Sequence, residues 1–222
     1  MLSMPSTTNE VNRHSEAVDV ARRYQRLERP LSYAVALLVG LVAGAAFLLF
    51  SLIEAALVGL ALGALVRVPV FRTSGTARLV TDADPDAVRT DFEGGTPPPL
   101  AFQWGVADDL RLTDDGVTYE FSYLFGLRST EMTVETRSSA PDAGADGDTL
   151  ELIVTADGRP WATYTASMQR DGDDTVVDID WASDRRFGLR RLPQQFVAER
   201  YRADAFAVQG YRVADRETSL SP

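Results

Sequence analysis

From Leu31 to Val66 the chain carries a single charged residue, Glu54, in the run LSYAVALLVGLVAGAAFLLFSLIEAALVGLALGALV. Nothing else in the sequence restricts folding as strongly. A helix that is apolar all round has no polar face to turn toward water. One bilayer crossing takes about 20 residues at 1.5 Å each. As one straight helix the run would reach roughly 54 Å, well beyond a hydrocarbon core of about 30 Å. The segment 31–71 is therefore read as a transmembrane helical hairpin. Its spans are about Leu31–Phe50 and about Ala55–Phe71, and it turns at Ser51-Leu52-Ile53-Glu54.

Small residues support this reading. Gly40 and Gly44 form one GxxxG pair, Gly59 and Gly63 another, and the midpoints of Gly44 with Gly59 and of Gly40 with Gly63 both fall between Ser51 and Leu52. In an antiparallel hairpin they would meet at matching depths, where missing side chains let backbones approach. An Ala/Gly/Leu-rich composition also produces such pairs, and a homo-oligomer formed through the hairpin would use them between chains. Arg22, Arg23, Arg26 and Arg29 precede the first span, and Arg67 and Arg72 follow the second. The positive-inside rule then predicts a multi-pass protein of the cell membrane, with both termini and the following domain cytoplasmic and the lipid bilayer as a partner. A chain crossing once would instead place the following domain outside. The competing globular reading is a buried helical hairpin.

Residues 1–30 read as a polar arm with a juxtamembrane helix. Met1–Asn12 is polar and expected to be disordered. Ser15–Glu28 is expected to be helical, with Val18, Ala21 and Leu27 as a weak apolar stripe and Pro30 as its end. The length of this polar arm argues against a signal peptide.

Composition removes several chemistries. There is no cysteine, and His14 is the one histidine. Disulfides, thiolate nucleophiles, His-rich metal sites and a Ser-His-Asp triad are excluded with them. The sequence implies no cofactor, no metal and no catalytic residue set. All 22 basic residues are arginine, against 32 Asp and Glu, for a net charge of -10. The acidic excess lies after Arg72. So acidic a domain lacks the positive face that nucleic acid requires. The all-arginine, Asp-rich composition resembles the proteomes of salt-loving archaea, where dense carboxylates keep proteins soluble.

Beyond Arg72 the hydrophobic period changes. Thr76–Thr81 reads as a strand, and Asp84 with Pro85 opens a helix through Asp86–Phe92 that stops at Gly94-Gly95. Thr96–Leu100 holds three prolines and reads as a loop. Period-two alternation then dominates, through Leu110 and Leu112, Val117 to Phe125, Glu131–Thr136, Leu150–Thr155, Pro160–Met168 and Thr175–Trp181. Asp114-Asp115-Gly116, Asp157-Gly158 and Asp171-Gly172 are the turns, and Pro141–Asp148 is a polar loop. Leu192, Phe196, Ala203, Phe206 and Ala207 recur at helical spacing before Gly210. Tyr211–Val213 is a brief final strand, and 216–222 a frayed tail.

The opening ARLVTDADPDAVRTDF (Ala77–Phe92) and the closing RRLPQQFVAERYRADAFAVQGYRV (Arg190–Val213) flank this meander. In that arrangement the segment 73–215 resembles the SRPBCC or START-like superfamily, the helix-grip fold of polyketide cyclases and pollen allergens. The resemblance implies an α+β domain in which an antiparallel sheet of about seven strands grips a long C-terminal helix. Members have a second short helix where this chain carries its prolines, so the cavity entrance departs from the pattern.

The resemblance also implies a cavity between sheet and helix, sized for a lipid or polycyclic ligand. Its candidate lining is Phe102, Trp104, Tyr119, Phe121, Tyr123, Phe125, Trp161, Tyr164, Trp181, Phe196 and Phe206. A filled core would use the same aromatics. The carboxylate pairs Asp108-Asp109, Asp114-Asp115 and Asp173-Asp174 read as turn or surface charge, and Asp178, Asp180 and Glu120 as outward-facing. Arg185-Arg186 and Arg190-Arg191 form a basic cluster suited to surface carboxylates, a membrane surface or an anionic ligand head. The function expected is a membrane-anchored, non-catalytic module that binds an apolar or lipid-like ligand. The alternatives are a docking domain with a filled core and, third, a cyclase- or hydrolase-type enzyme.

Overall fold

The computed structural model describes residues 7–113, 116–123, 126–139, 148–188 and 201–221. Phe125, Phe196, Arg190, Arg191, Leu192, the turn at Asp114-Asp115 and most of the loop before Asp148 lie outside them.

Helix α1 runs unbroken over Thr7–Leu49 and α2 over Leu52–Arg67. The polar arm is thus helical from Thr7, and Pro30 lies inside α1 rather than ending it. An internal proline removes one backbone hydrogen bond. Here strong helix formers on both sides carry the helix through. The turn is built by the run's one charge. The Glu54 carboxylate accepts the Ser51 backbone N–H at 3.0 Å and the Ser51 hydroxyl at 2.8 Å. Glu54 therefore caps the start of α2, at the third position where a capping box places its acid.

Two expectations about this hairpin are corrected. Among the described residues no helix is long and apolar enough to cross a membrane. Helix α2 has 16 residues, a rise of about 24 Å against a core of about 30 Å, and the amino-terminal half of α1 is charged. This overturns the two-span, multi-pass placement with cytoplasmic termini. The glycines also do not bring the helices together. A Cβ built on Gly40, Gly44, Gly59 or Gly63 meets nothing within 4 Å. The residues buried in the hairpin are Ala46 and Ala55, while Leu37, Leu38, Leu48, Leu52 and Leu60 are exposed.

The rest of the chain is α+β. The strands are β1 (Arg72–Thr81), β2 (Asp109–Thr113), β3 (Gly116–Tyr123), β4 (Arg128–Ser139), β5 (Asp148–Ala156), β6 (Arg159–Asp171), β7 (Asp174–Ser183) and β8 (Arg212–Ser221). They form one antiparallel eight-stranded sheet in the order β2-β3-β4-β5-β6-β7-β1-β8. The meander thus ends on β1, and β8 adds a further strand at the edge. The expected frayed tail is strand, paired with β1 from Arg72↔Ser221 to Val80↔Arg212.

Alternation fixes the faces. Ala77, Leu79, Leu150, Leu152, Val154, Tyr164, Met168, Val177, Ile179 and Trp181 are buried on the inner face. Their neighbours point outward, where Arg78 meets Asp178 at 2.7 Å and Arg111 meets Glu120. Asp180 is exposed on that side too.

Helices cover the inner face. Helix α3 (Pro85–Glu93) contributes Val88 and Phe92, and it starts at Asp84 as its sequence predicts. The proline segment is not a plain loop. Pro98–Leu100 is a 3-10 turn leading into α4, Ala101–Trp104. Proline is tolerated in a first helical turn because its missing N–H has no partner there anyway. The short helix that the sequence reading left out is therefore present. The C-terminal helix, described over 201–207 and labelled α5, buries Ala205 and Phe206.

The amino-terminal part of α1 also belongs to this core. Ala17, Val20 and Ala21 are buried, and Tyr24 packs on Phe102 with ring centroids 4.9 Å apart. Gly105 makes room for the contact: a Cβ there would lie 2.7 Å from that of Ala21.

Candidate ligand site

One row of residues crosses four strands of the inner face: Tyr164 on β6 pairs with Trp181 on β7, Trp181 with Gly75 on β1, and Gly75 with Thr218 on β8. The Trp181 ring lies across Gly75. A Cβ on Gly75 would fall 2.4 Å from the indole Cζ2 and 2.2 Å from the Glu217 carbonyl oxygen. Glycine inside a strand marks such a close approach. The tryptophan can lie flat on the sheet because that position has no side chain.

Two guanidinium groups flank the indole. The Arg216 guanidinium carbon is 5.0 Å from the ring centroid and that of Arg202, from α5, is 5.8 Å away. Both distances fall within cation–π range. The Nε of Arg202 is buried and meets no hydrogen-bond partner among the described residues. Tyr164 is buried beside them. Burial raises its phenol above the ordinary value, outweighing the opposing pull of Arg202 and Arg216.

Two voids adjoin Tyr164 and Arg202 in this cluster. One, of about 100 Å³, is lined by Thr73, Trp161, Tyr164, Trp181, Ser183, Arg185, Phe187 and Arg202, with Ala162. The other, of about 10 Å³, lies between Trp181, Arg202, Arg216 and Phe206. Among the described residues no carboxylate lines either. Phe187 closes one end. Its N–H donates to the Phe71 carbonyl at 2.8 Å, and the Phe71 N–H donates to the Phe187 carbonyl at 3.0 Å.

The predicted aromatics divide into groups. Trp161, Tyr164, Trp181 and Phe206 gather at the voids. Trp104 and Tyr119 are fully engaged elsewhere in the core. The Trp104 indole N–H donates to the Pro97 carbonyl at 3.0 Å and the Tyr119 hydroxyl to the Gly95 carbonyl at 2.9 Å. Phe102 and Phe121 pack at the core's margin. Tyr123 is 45% exposed and lines neither void. Its place near the end of β3 puts it past the cover of the helices.

Arg185 and Arg186 make no ion pair among the described residues, although surface pairing was the favoured expectation; Arg185 lines the larger void instead. Sequence reasoning missed Arg202, Arg216 and Gly75. Arg216 sat in the segment read as tail. Gly75 carried a usable signal, being a glycine within a strand-forming run.

No protein-family model matches the chain, and no curated protein matches it. Similar solved structures include the Mll3558 protein from Rhizobium loti, at 16% identity over 62% of this chain and 96% of that one, with a TM-score of 0.40. A START superfamily protein from Mycobacterium smegmatis gives 10% identity over 62% and 97%, TM-score 0.39. A conserved protein from Geobacillus kaustophilus gives 13% over 62% and 91%, TM-score 0.38. Likenesses this distant carry no argument about ligand or activity.

Proposed function

We propose that this chain is a non-catalytic, START-like binding module that holds part of an apolar or lipid-like molecule in the pocket between the sheet and α5. The observation that carries this reading is the void of about 100 Å³ walled by Trp161, Tyr164, Trp181 and Phe187. Aromatic walls with a few convergent polar groups are the usual chemistry of a small-molecule site. The volume corresponds to about three waters, so it seats a head group or ring rather than a whole lipid. The titratable side chains at the voids support binding over proton transfer. Arginines stay protonated, and the Tyr164 phenol is held above its ordinary value by burial.

The test is extraction and mass spectrometry of the purified full chain beside the Thr73→Phe variant, whose ring fills the void. A small amphiphile recovered at about one per chain from the native protein and absent from the variant is the expected result. Equal recovery from both would place the molecule elsewhere and end this reading.

A second reading rests on the hairpin: two copies of the chain associate through α2. A groove on this helix is lined by Ala55, Ala56, Gly59, Leu60, Gly63 and Ala64. Its glycines open onto empty space. A GxxxG notch suits a second helix backbone, and the same surface supplies Leu57 and Leu60 as exposed side chains to enter a partner's groove. Sedimentation velocity over a concentration series should show a dimer that Gly59→Leu weakens. A single monomeric species throughout would sink it.

A further inference from the structure

We infer that the molecule held in this pocket is an anion, its carboxylate or phosphate-type head seated between Arg185 and Arg202. The inference rests on the pocket reading above and adds the sign of the ligand's charge.

The first argument is a local reversal of charge. The chain has 32 acidic residues to 22 arginines, yet among the described residues the two voids are lined by Arg185, Arg202 and Arg216 and by no acid. Second, five of the domain's other arginines are paired. Arg78, Arg89, Arg111, Arg137 and Arg170 each meet a carboxylate within 3.2 Å. With carboxylates this plentiful, Arg202 still turns from them to an indole face. The third is a buried donor without an acceptor. A buried N–H left without an acceptor opposes folding. Such a donor calls for an explanation, and a bound anion supplies one.

The shape agrees. A guanidinium is a planar fork that takes a carboxylate or phosphate through two parallel hydrogen bonds. Arg202 lines both voids, Arg185 lies at the outer wall of the larger, and the Tyr164 ring lies between the voids. An oxyanion there would accept from the guanidiniums. An attached apolar body would leave along Trp161 and Phe187.

The experiment titrates the full chain at pH 7 with n-decanoate and, separately, n-decanol. Both are kept below their micelle or solubility limits and read by calorimetry and tryptophan emission. These two probes differ in the head alone. The expected result is binding of decanoate at least about tenfold tighter than decanol, as charge-assisted hydrogen bonds imply. Arg202→Gln should bring that ratio to about one. Arg185→Gln, at an exposed side chain, should reduce it about threefold with no effect on folding, so the test survives if the Arg202 variant fails to fold. Equal native affinity for both probes would overturn the anionic head while leaving the pocket in place. A decanoate preference untouched by either substitution would also overturn it, by putting the anion at another surface. Binding of neither probe would remove the pocket reading, and this inference with it.

Discussion

Leu48 in α1 is 88% exposed and Leu79 in β1 is 0% exposed, although the segment around Leu48 is the more apolar of the two. The difference follows from what each segment has to pack against. In the sheet, period-two alternation gives one apolar face, and α3, α4, α5 and the start of α1 cover it. In the hairpin the apolar residues surround both helices, so each helix can cover only one side of the other. Small residues, Ala46 and Ala55, occupy that contact. The larger side chains remain outside it. The hairpin is therefore held by helix propensity and by the Ser51–Glu54 cap, whereas the sheet domain is held by burial.

The sharpest way to break this contrast is to truncate one leucine in each region. Leu79→Ala should lower unfolding free energy by about 2–5 kcal/mol, because it opens a cavity in a close-packed core. Leu48→Ala should change it by no more than about 0.5 kcal/mol, as exposed substitutions do. Denaturant midpoints at dilute concentration decide it; similar losses would mean that the hairpin face is packed after all.

Glycines give the next largest effect, with opposite signs. Gly75→Ala drives a methyl into a backbone oxygen and the Trp181 ring, at 2.2 and 2.4 Å before relaxation. A loss of about 1–3 kcal/mol is expected, with a shifted tryptophan emission. Gly59→Ala meets open space, and alanine in a helix interior is favoured over glycine by about 1 kcal/mol, so stability should rise. A Gly59→Ala variant that melts earlier would show that the notch is occupied even in the isolated chain.

Acid gives the smallest effect and separates the regions by mechanism. Hydrogen bonds from Ser51 lower the Glu54 pKa below its ordinary value of 4.5. A depressed carboxylate contributes stability above its unfolded value, and that contribution disappears as pH falls through the folded one. Helix signal from the hairpin should therefore weaken slightly below about pH 4.5, and Glu54→Gln should abolish that dependence. An unchanged titration in the variant would assign the transition to other carboxylates.

Much of the sheet was legible in advance because alternation is a local property. Val117, Val134, Leu152, Ala166 and Val177 all lie in segments whose period already marked them as strand, and all are buried. Asp84-Pro85 announced α3 for an equally local reason, since a cap is satisfied within one turn. The arm was harder to read. Its docked stripe is Ala17, Val20 and Ala21, with Val18 at its margin, so the expected stripe of Val18, Ala21 and Leu27 named only part of the docked face. The candidate site was half visible. Trp161, Tyr164, Trp181 and Phe206 stood out as aromatics, but so did Trp104, Tyr119 and Tyr123, which serve other ends.

Taken alone, the sequence determined the α+β class, the strand succession, the hairpin's turn and the exclusion of thiol chemistry, because each depends on residue type or on neighbours a few positions apart. The tertiary structure alone decided that β8 pairs with β1, that Arg202 and Arg216 enclose Trp181, and that the hairpin's leucines face outward. Those outcomes depend on register between strands far apart in the chain and on which surfaces remain once packing is complete. Hydrophobicity by itself states that a side chain avoids water, and it leaves open what the side chain will meet instead.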